Sequence, residues 1–388
     1  MNLQKNFFGL DSEYFAKAGC TLTSVEIAGQ PETWLSLCDL LEDNAAKIRS
    51  FFERFSLDGR RIVLTGAGSS GFVASMLSCH IAERFGILSD AIHTTDIVSS
   101  PNAFIKDVPT LLISFGRSGN SPESVGAVQA CRKLVSDLYE ITIVCDGNSK
   151  LSNCAKESDK SLLLVMPEGA NDKAFAMTCS VSCMLLAGFA VFGIDKLSGI
   201  TRDIALLSDY VANSSQALSK VAQDVAGLDV ERLWYIGCGS AQALMREGAL
   251  KVMEVTNGKI VAGSNNAPEF RHGPKTVINS KAATIHFVSN NDFTAQYDND
   301  LLDEILSQRD KNKVVSITGT NNSSDFCVKY DVSGYEILGD VAAEIFALVF
   351  MQMFSVFASI KLGVPTDNPS PSGHVNRVVQ GVTIYPIK

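Results

Sequence analysis

A polar segment rich in serine and glycine follows an apolar run in the first third of the chain. The segment at residues 116–121 reads GRSGNS, and the run before it predicts a buried strand. Ser121 and Pro122 then fit the N-cap and the first position of a helix. A helix N-terminus attracts anions, hydroxyls add donors, and a guanidinium pairs well with phosphate. We therefore predict that Arg117, Ser118 and Ser121 bind a phosphate group.

An ordinary strand-to-helix turn is the alternative interpretation of this segment, because serine, glycine and asparagine are common in such turns. The segment holds more donor side chains than a turn requires, and this excess favours phosphate.

A second turn of the same kind, GAGSSG at residues 66–71, supplies Ser69 and Ser70 as further candidates for phosphate binding. Its GxGxxG spacing also fits a dinucleotide-binding loop, for which Asp90 or Asp96 would supply the acidic partner. The spacing leaves both ligands open, whereas the serines favour a phosphate or hydroxyl-bearing ligand.

Titratable residues in unusual settings occur in the second half of the chain. Glu247, Lys251 and Glu254 recur on one face of the helix predicted at residues 247–255. A solvated face of salt bridges is the usual interpretation, but close apolar neighbours favour partial burial of Lys251 and Glu254. His272 lies in the loop PEFRHGP, where an imidazole can titrate near neutral pH. A structural histidine is an equally good interpretation of that residue taken alone.

Strands and helices alternate along most of the chain after residues 1–30, which show little periodicity and are expected to form an arm. Apolar runs predict strands at 61–65, 91–97, 111–114, 141–145, 162–165, 233–236, 284–288 and 314–317, and helical spacing predicts helices at 31–57, 72–85, 174–192, 201–225 and 345–358.

The strand-helix pattern around the GAGSSG turn recurs about 170 residues later, which indicates a duplicated unit. The alternation predicts an α/β fold of parallel sheets covered by helices, with ligands at the carboxyl ends of the strands. Since the second copy has NND at residues 290–292 in place of the GRSGNS segment, we assign the phosphate site to the first copy.

The composition limits the classes of partner. The chain has 388 residues, 46% of them hydrophobic, and a formal charge of −9, which fits a globular protein of two or three domains that does not bind nucleic acid. Ten cysteines without a CxxC pair or a completing histidine cluster are expected to be free thiols of a reducing cytoplasm, with no metal site.

Two local features of the sequence argue against membrane association. The first residues lack the apolar segment of a secretion signal, and the run at 345–358 is shorter than the about 20 residues that a membrane span needs. We therefore expect a cytoplasmic protein without membrane contact.

The duplicated unit, the loop SFGRSGNSPES, the segment ALKVME and the loop EFRHGP together resemble the sugar isomerase (SIS) family over about residues 35–388. The motifs are similar to the isomerase half of glutamine–fructose-6-phosphate aminotransferase. They are more similar still to the tagatose-6-phosphate ketose/aldose isomerases, also described as galactosamine-6-phosphate deaminases. The resemblance implies two tandem three-layer α/β/α domains of SIS type at residues 35–213 and 214–388, after an N-terminal arm at 1–34.

The resemblance also implies roles for single residues. Glu254 matches the family's catalytic base, with Lys251 before it, and His272 matches its ring-opening histidine. In the relatives that histidine reaches a neighbouring subunit's site, which implies a homodimer or higher homo-oligomer. Asn171 and Gln380 join the two serine loops as predicted substrate contacts, and Gln380 aligns near a lysine of the aminotransferase. Gly116 and Arg117 depart from the family's usual SQSGET loop.

These roles predict a sugar-phosphate isomerase and deaminase that converts galactosamine 6-phosphate to tagatose 6-phosphate and ammonia by proton transfer between C1 and C2. No metal or redox cofactor is expected. Plain ketose/aldose isomerisation is the first alternative. A non-catalytic sugar-phosphate-binding regulator is another, although the presence of Glu254 and His272 favours an enzyme. A dinucleotide-dependent dehydrogenase is the most distant.

Overall fold

The computed structural model describes residues 6–308, 312–379 and 381–387, and these residues form two compact units. The serine-loop unit comprises Glu32–Asp172, Cys179–Thr201 and the described part of Ser372–Lys388. The Glu254 unit comprises the described parts of Met1–Pro31, Lys173–Thr178 and Arg202–Pro371. The predicted division near residue 213 stays a prediction, and the units group the chain ends differently, with the C-terminal tail in the serine-loop unit.

The strands of the described chain are short and, in the two larger sheets, mostly buried. They are β1 (Asn6–Phe7), β2 (Leu10–Asp11), β3 (Arg61–Thr65), β4 (Asp90–Ala91), β5 (Thr110–Gly116), β6 (Leu138–Val144), β7 (Ser161–Val165), β8 (Arg232–Ile236), β9 (Val261–Asn265), β10 (Ala282–Phe287), β11 (Lys313–Thr318) and β12 (Phe326–Lys329).

The α-helices range from one turn to 30 residues. They are α1 (Ser12–Lys17), α2 (Thr21–Ala28), α3 (Gln30–Arg54), α4 (Ser69–Phe85), α5 (Thr94–Ser99), α6 (Pro101–Phe104), α7 (Pro122–Leu134), α8 (Lys150–Lys156), α9 (Cys179–Phe192), α10 (Leu197–Ala226), α11 (Ala241–Val255), α12 (Ala267–Phe270), α13 (Asp292–Leu306) and α14 (Asp340–Lys361).

The serine-loop unit is built on a five-stranded parallel sheet with the order β4-β3-β5-β6-β7. Every residue of the central strand β5 is buried, as its apolar sequence predicts. The chain moves outward from β3 to β4 on one side and from β5 to β7 on the other. The crevice at the carboxyl ends of β3 and β5 is therefore a topological switch point, where sheets of this class bind ligands.

The Glu254 unit repeats this arrangement with a five-stranded parallel sheet in the order β12-β11-β10-β8-β9. The two-stranded antiparallel pair of β1 and β2 lies in the same unit. Two parallel sheets, each flanked by helices, confirm the predicted α/β fold class with two tandem domains.

The helix predicted at residues 345–358 is the buried helix α14, in which every residue from Val341 to Ser359 is buried. Among the described residues, α14 alone is both long and apolar enough to cross a bilayer, and its most apolar window is entirely enclosed by protein. A second candidate arises only if α9 and the sharply bent helices after it are counted as one span.

Several predictions about local structure differ from the structure, among them the helix predicted at 174–192, which begins only at Cys179. Residues 91–97 were predicted to be a strand, but β4 ends at Ala91 and α5 begins at Thr94. Only two residues of β4 pair with β3, and the chain turns into α5 after His93, although the Thr94 amide still bonds to the Gly66 carbonyl at 3.0 Å. The region expected to be an arm, residues 1–30, contains α1 and α2, and the buried Phe15 and Ile27 hold these helices in the Glu254 unit. The arm itself stays a prediction.

Candidate active site

The GRSGNS segment of the serine-loop unit lies where β5 ends and α7 begins. Ser121 is the N-cap residue and Pro122 the first helical residue, which confirms the sequence prediction. The Ser121 hydroxyl makes no capping bond to the helix amides, and the Ser118 hydroxyl accepts only a weak bond of 3.3 Å from the Asn120 amide. Neither hydroxyl has capping as its role, so both suit a ligand at the helix N-terminus.

Gly119 lets this loop turn tightly against the start of α8. Its φ of +58° lies in the left-handed region, and an added Cβ would overlap the Ser149 hydroxyl. The Gly119 carbonyl also accepts a 2.9 Å bond from the Leu151 amide, so the loop is fastened at its tip. A fastened loop presents its donors in one geometry, as tight binding requires.

Arg117 is buried, with 6% of its surface exposed. Its Nη2 donates a 2.7 Å bond to the carbonyl oxygen of Arg377, which belongs to the C-terminal tail of the same unit. The guanidinium of Arg377 in turn donates to the carbonyl of Asp172. Sequence analysis assigned Arg117 to phosphate alone, and the tail contact across 260 positions could not be seen in a local motif.

The GAGSSG turn joins β3 to α4, and α4 begins at Ser69 rather than at residue 72. Gly68 is the N-cap residue with a φ of +55°, while Ser69 and Ser70 are both buried with 4% exposure. An added Cβ on Gly66 would overlap Ser70, which explains the glycine there. The turn therefore lies at the same edge of the sheet as the GRSGNS segment, beside the switch point.

The structure gives little evidence for a dinucleotide site at this turn. Asp90, the acidic candidate at β4, pairs with Arg61 at 2.6 Å. Asp96, the other candidate, is exposed on α5 instead of ending a strand. The structure thus favours the phosphate interpretation that the two serines suggested.

In the polar run near residue 171, Asp172 has a structural role and Asn171 is a candidate ligand residue. Asn171 is half-buried after a short 3₁₀ helix, whereas its neighbour Asp172 is fully buried. The Asp172 carboxylate accepts bonds of 3.0 Å from the amides of Cys179 and Ser180 and so caps α9. Sequence analysis did not recognise this cap, because seven residues separate Asp172 from Cys179. Gln380 lies outside the described residues.

Glu247, Lys251 and Glu254 form an ion-pair cluster on α11 of the Glu254 unit. Lys251 Nζ lies 2.5 Å from Glu254 Oε2 and 3.4 Å from Glu247 Oε1. The side chains of Glu247 and Lys251 are 0% and 2% exposed, whereas that of Glu254 is 27% exposed. The expected partial burial is therefore correct, and a solvated face is the wrong interpretation of the first two residues.

The three side chains of the cluster differ in their exposure to solvent. A charged lysine removed from water is stabilised only by close carboxylates, so Lys251 is held between Glu247 and Glu254. Glu254 is the member whose carboxylate reaches the surface. Its carboxylate is oriented by the cationic partner, and a partly exposed, oriented carboxylate is a group that can accept a proton.

His272 is exposed in the loop between α12 and a 3₁₀ helix at Pro274–Val277. Gly273, with a φ of +127°, makes the turn that follows it. Arg271 and Lys275, on either side, both contact Glu304 of α13. The structure places His272 and the Glu247–Lys251–Glu254 cluster in the same unit, as the sequence predicted for the second half.

The corresponding loops of the second sheet are occupied by the protein's own carboxylates. Ser240 donates to Glu344 at 2.5 Å, and Ser289 donates to Asp340 at 3.1 Å. Asn291 caps α13 with its own side chain. Because these serine hydroxyls already donate to carboxylates, they are not available to an anion. This supports a phosphate site in the first copy.

The cysteines offer no activated nucleophile at these loops. All ten are free, and five of them are buried. Burial and the nearby Asp172 raise the pKa of Cys145, and burial with Asp298 raises the pKa of Cys238 to about 12, so both stay protonated thiols. Within the described ranges, no cluster of three or more histidine, cysteine or acidic side chains has the geometry of a metal site.

The SIS domain family model matches residues 57–192. The D-galactosamine-6-phosphate deaminase AgaS of Escherichia coli is 36% identical, over 96% of this chain and 97% of its own length. The enzyme of the same name from Shewanella sp. (strain ANA-3) is 33% identical, over 97% and 95%.

Solved structures agree with these relatives. The tagatose-6-phosphate ketose/aldose isomerase of Escherichia coli has a TM-score of 0.86 and 32% identity, covering 94% of this chain and 96% of its own. The C-terminal domain of glucosamine-fructose-6-phosphate aminotransferase from Francisella tularensis shares the fold, with a TM-score of 0.74 at 16% identity, covering 89% and 98%. The chain belongs to the SIS sugar isomerase family, in the group that contains the galactosamine-6-phosphate deaminases and the tagatose-6-phosphate ketose/aldose isomerases.

Proposed function

We propose that this protein converts galactosamine 6-phosphate and water to tagatose 6-phosphate and ammonia. The observation that carries the proposal is similarity to D-galactosamine-6-phosphate deaminases along almost the entire chain, at 33% and 36% identity. The oriented Glu254 carboxylate and the two serine loops supply the chemistry that such a reaction requires.

The serine loops are proposed to hold the phosphate. Ser69 and Ser70 begin α4, while Ser118 and Ser121 precede α7, so both helix N-termini point amides and hydroxyls at one sheet edge. Arg117 adds a buried positive charge. Asn171, which is half-buried, and Gln380, which lies outside the described residues, complete the proposed contacts. Phosphate binding far from C1 orients the reacting end of the sugar.

Glu254 is proposed to move the proton. After His272 assists opening of the sugar ring, Glu254 removes the proton from C2 and returns it to C1. This transfer converts the 2-amino aldehyde to a 2-imine through an enolamine. Water then adds to the imine carbon, and ammonia leaves as the C2 carbonyl forms. Lys251 holds the carboxylate of Glu254 during these steps.

The proposal requires the phosphate loops and Glu254 to act on one sugar molecule, from one chain or from two. We propose a homodimer or larger homo-oligomer in the cytoplasm, with no nucleic-acid or membrane partner. The net charge of −9 agrees with the absence of polyanionic partners.

Ammonia release tests the function directly. The purified protein is mixed with galactosamine 6-phosphate, glucosamine 6-phosphate or galactosamine, and ammonia is measured with a coupled assay. We expect release from galactosamine 6-phosphate above all, and little from the unphosphorylated sugar. A wild-type protein that releases no ammonia from any of them would refute the deaminase assignment.

Plain ketose/aldose isomerisation is the second candidate, because a protein named for that reaction is 32% identical over most of both chains. Exchange of the C1 proton of tagatose 6-phosphate with deuterated solvent, without ammonia release from the amino sugar, would favour it. A regulator that only binds sugar phosphates would show neither reaction.

A further inference from the structure

We infer that Glu304 is a positioning residue for His272, because it holds the loop that carries this histidine through the two cations that flank it. The chemical role of His272 comes from the proposed function, whereas the contacts of Glu304 are features of the structure.

The loop is anchored to the core on both sides, by Phe270 before the turn and by Val277 and Ile278 at the end of the 3₁₀ helix. Asn266 caps the one-turn helix α12 by accepting a 2.9 Å bond from the Glu269 amide. Phe270, at the end of α12, is fully buried and shares a hydrophobic cluster with Leu301 and Ile305 of α13. Packing therefore fixes the chain up to Phe270 and again from Val277, and leaves the turn at residues 271–275 between these two anchors.

Beyond Phe270 the chain turns out to the surface. Arg271, His272 and Gly273 are all exposed, and Gly273 has the positive φ of a sharp turn. Pro274 then begins the short 3₁₀ helix. An imidazole on an exposed turn needs additional contacts to keep one position, since surface turns move more than packed elements.

Glu304 supplies those contacts from α13. Its Oε2 lies 2.7 Å from Arg271 Nε, and its Oε1 pairs with Lys275 Nζ. One carboxylate thus joins the residue directly before His272 to the residue three positions after it. Lys275 and Arg271 lower the pKa of Glu304, so the carboxylate stays charged at and below neutral pH.

The position of these two ion pairs matters more than the stability that they contribute. A single exposed ion pair contributes little to stability, but two pairs on one carboxylate fix both ends of a short turn. A general acid must lie within hydrogen-bond reach of the atom it serves, and small displacements slow the reaction. Loss of Glu304 is therefore expected to slow turnover without weakening phosphate binding.

The test is Glu304→Gln, which keeps the size of the side chain and removes its charge. With galactosamine 6-phosphate we expect kcat to fall about tenfold and KM to change much less. Glu336→Gln is the matched control, because it breaks an exposed 3.1 Å pair with Arg202 elsewhere in the same unit. The control is expected to keep wild-type kcat.

Combination with His272→Asn separates positioning from general structural damage. Spontaneous ring opening sustains residual turnover in His272→Asn. If Glu304 acts through His272, adding Glu304→Gln lowers that residual rate no further. An equal tenfold loss in both backgrounds would overturn the inference.

Hydrogen exchange of the peptide covering residues 266–278 provides a readout without catalysis. We expect several-fold faster exchange in Glu304→Gln than in wild type or Glu336→Gln. Unchanged exchange would overturn the positioning role. If wild type releases no ammonia, the deaminase proposal fails separately. The variants are then compared by isomerisation of tagatose 6-phosphate, and exchange still decides the tie.

Discussion

Lys251 Nζ lies 2.5 Å from the carboxylate of Glu254, one helical turn along α11, and the lysine is buried while the carboxylate reaches the surface. The buried lysine orients a carboxylate that stays accessible, and we propose that this carboxylate is the base of the reaction. The first prediction concerns this base.

Glu254→Gln is expected to lower kcat for ammonia release about 10²–10⁴-fold, because the amide cannot accept the C2 proton. Binding of the substrate, measured by calorimetry, should stay near wild type, since the phosphate contacts are unaltered. Glu13→Gln is the control, because Glu13 forms a similar helical pair with Lys17 at 3.0 Å, fully on the surface. Retention of more than half of the wild-type kcat by Glu254→Gln would remove this residue from the mechanism.

Arg117→Lys is expected to raise KM for the phosphorylated sugar about 10- to 100-fold, with a smaller effect on kcat. A lysine keeps the charge but loses the planar fork that reaches both an anion and the Arg377 carbonyl. Steady-state kinetics with added inorganic phosphate as competitor measures the effect. Arg60→Lys, at an outer ion pair with Asp137, should leave KM unaltered. An unchanged KM in Arg117→Lys would show that the guanidinium does not bind phosphate.

Gly119→Ala should weaken sugar-phosphate binding and lower the melting temperature. The residue has a φ of +58°, and a Cβ would overlap the Ser149 hydroxyl that caps α8. Gly59→Ala is the control for backbone strain alone, since Gly59 has a φ of +72° with open space around it. We expect Gly119→Ala to exceed the cost of about 1 kcal/mol for the strained backbone of the control. Equal melting temperatures would contradict the crowded loop.

Mixing two variants of strongly reduced activity tests the proposed oligomer. If His272 serves the site of a neighbouring chain, refolding His272→Asn together with Glu254→Gln restores one intact site in each mixed dimer. For a dimer with random pairing, activity should reach about a quarter of wild type. Each variant refolded alone is the control. No recovery, with mixed dimers demonstrated by mass spectrometry, would place His272 and Glu254 in the site of a single chain.

His286, on β10, is expected to make the protein sensitive to acid. Complete burial lowers the pKa of His286 from 6.5 to about 3, so the unfolded chain binds a proton between these values that the folded chain does not. The free energy of unfolding should then fall as pH drops below 6.5, by up to about 1.4 kcal/mol per pH unit from this group. Urea unfolding at several pH values measures the slope.

His286→Leu keeps the strand buried and removes the titration, so the difference between wild type and this variant isolates the histidine. The variant should show a shallower loss of stability between pH 6.5 and 5. If the free energy of unfolding fell equally with pH in both proteins, the folded chain would protonate His286 as readily as the unfolded chain.

The local motifs of the chain could be identified from the sequence alone. Apolar runs, serine-glycine turns and Pro122 at a helix start depend on neighbours in sequence, so β5, Ser121 and α7 could be predicted together. Helical spacing likewise placed Glu247, Lys251 and Glu254 on one face of α11. The edge strands β9 and β12 escaped prediction, because edge positions do not require an apolar pattern.

The amino-acid sequence by itself determined the α/β class and the two serine loops, since these depend on short-range periodicity and motif, whereas the candidate acid and base followed from the resemblance to the SIS family. Only the tertiary structure decided the complete burial of Glu247, the bond from Arg117 to the tail, and the tie from Glu304 to the His272 loop. Those contacts join residues from different elements or depend on what packs over a helix face. Their energies arise from burial and charge proximity after the chain has folded, so no local pattern encodes them.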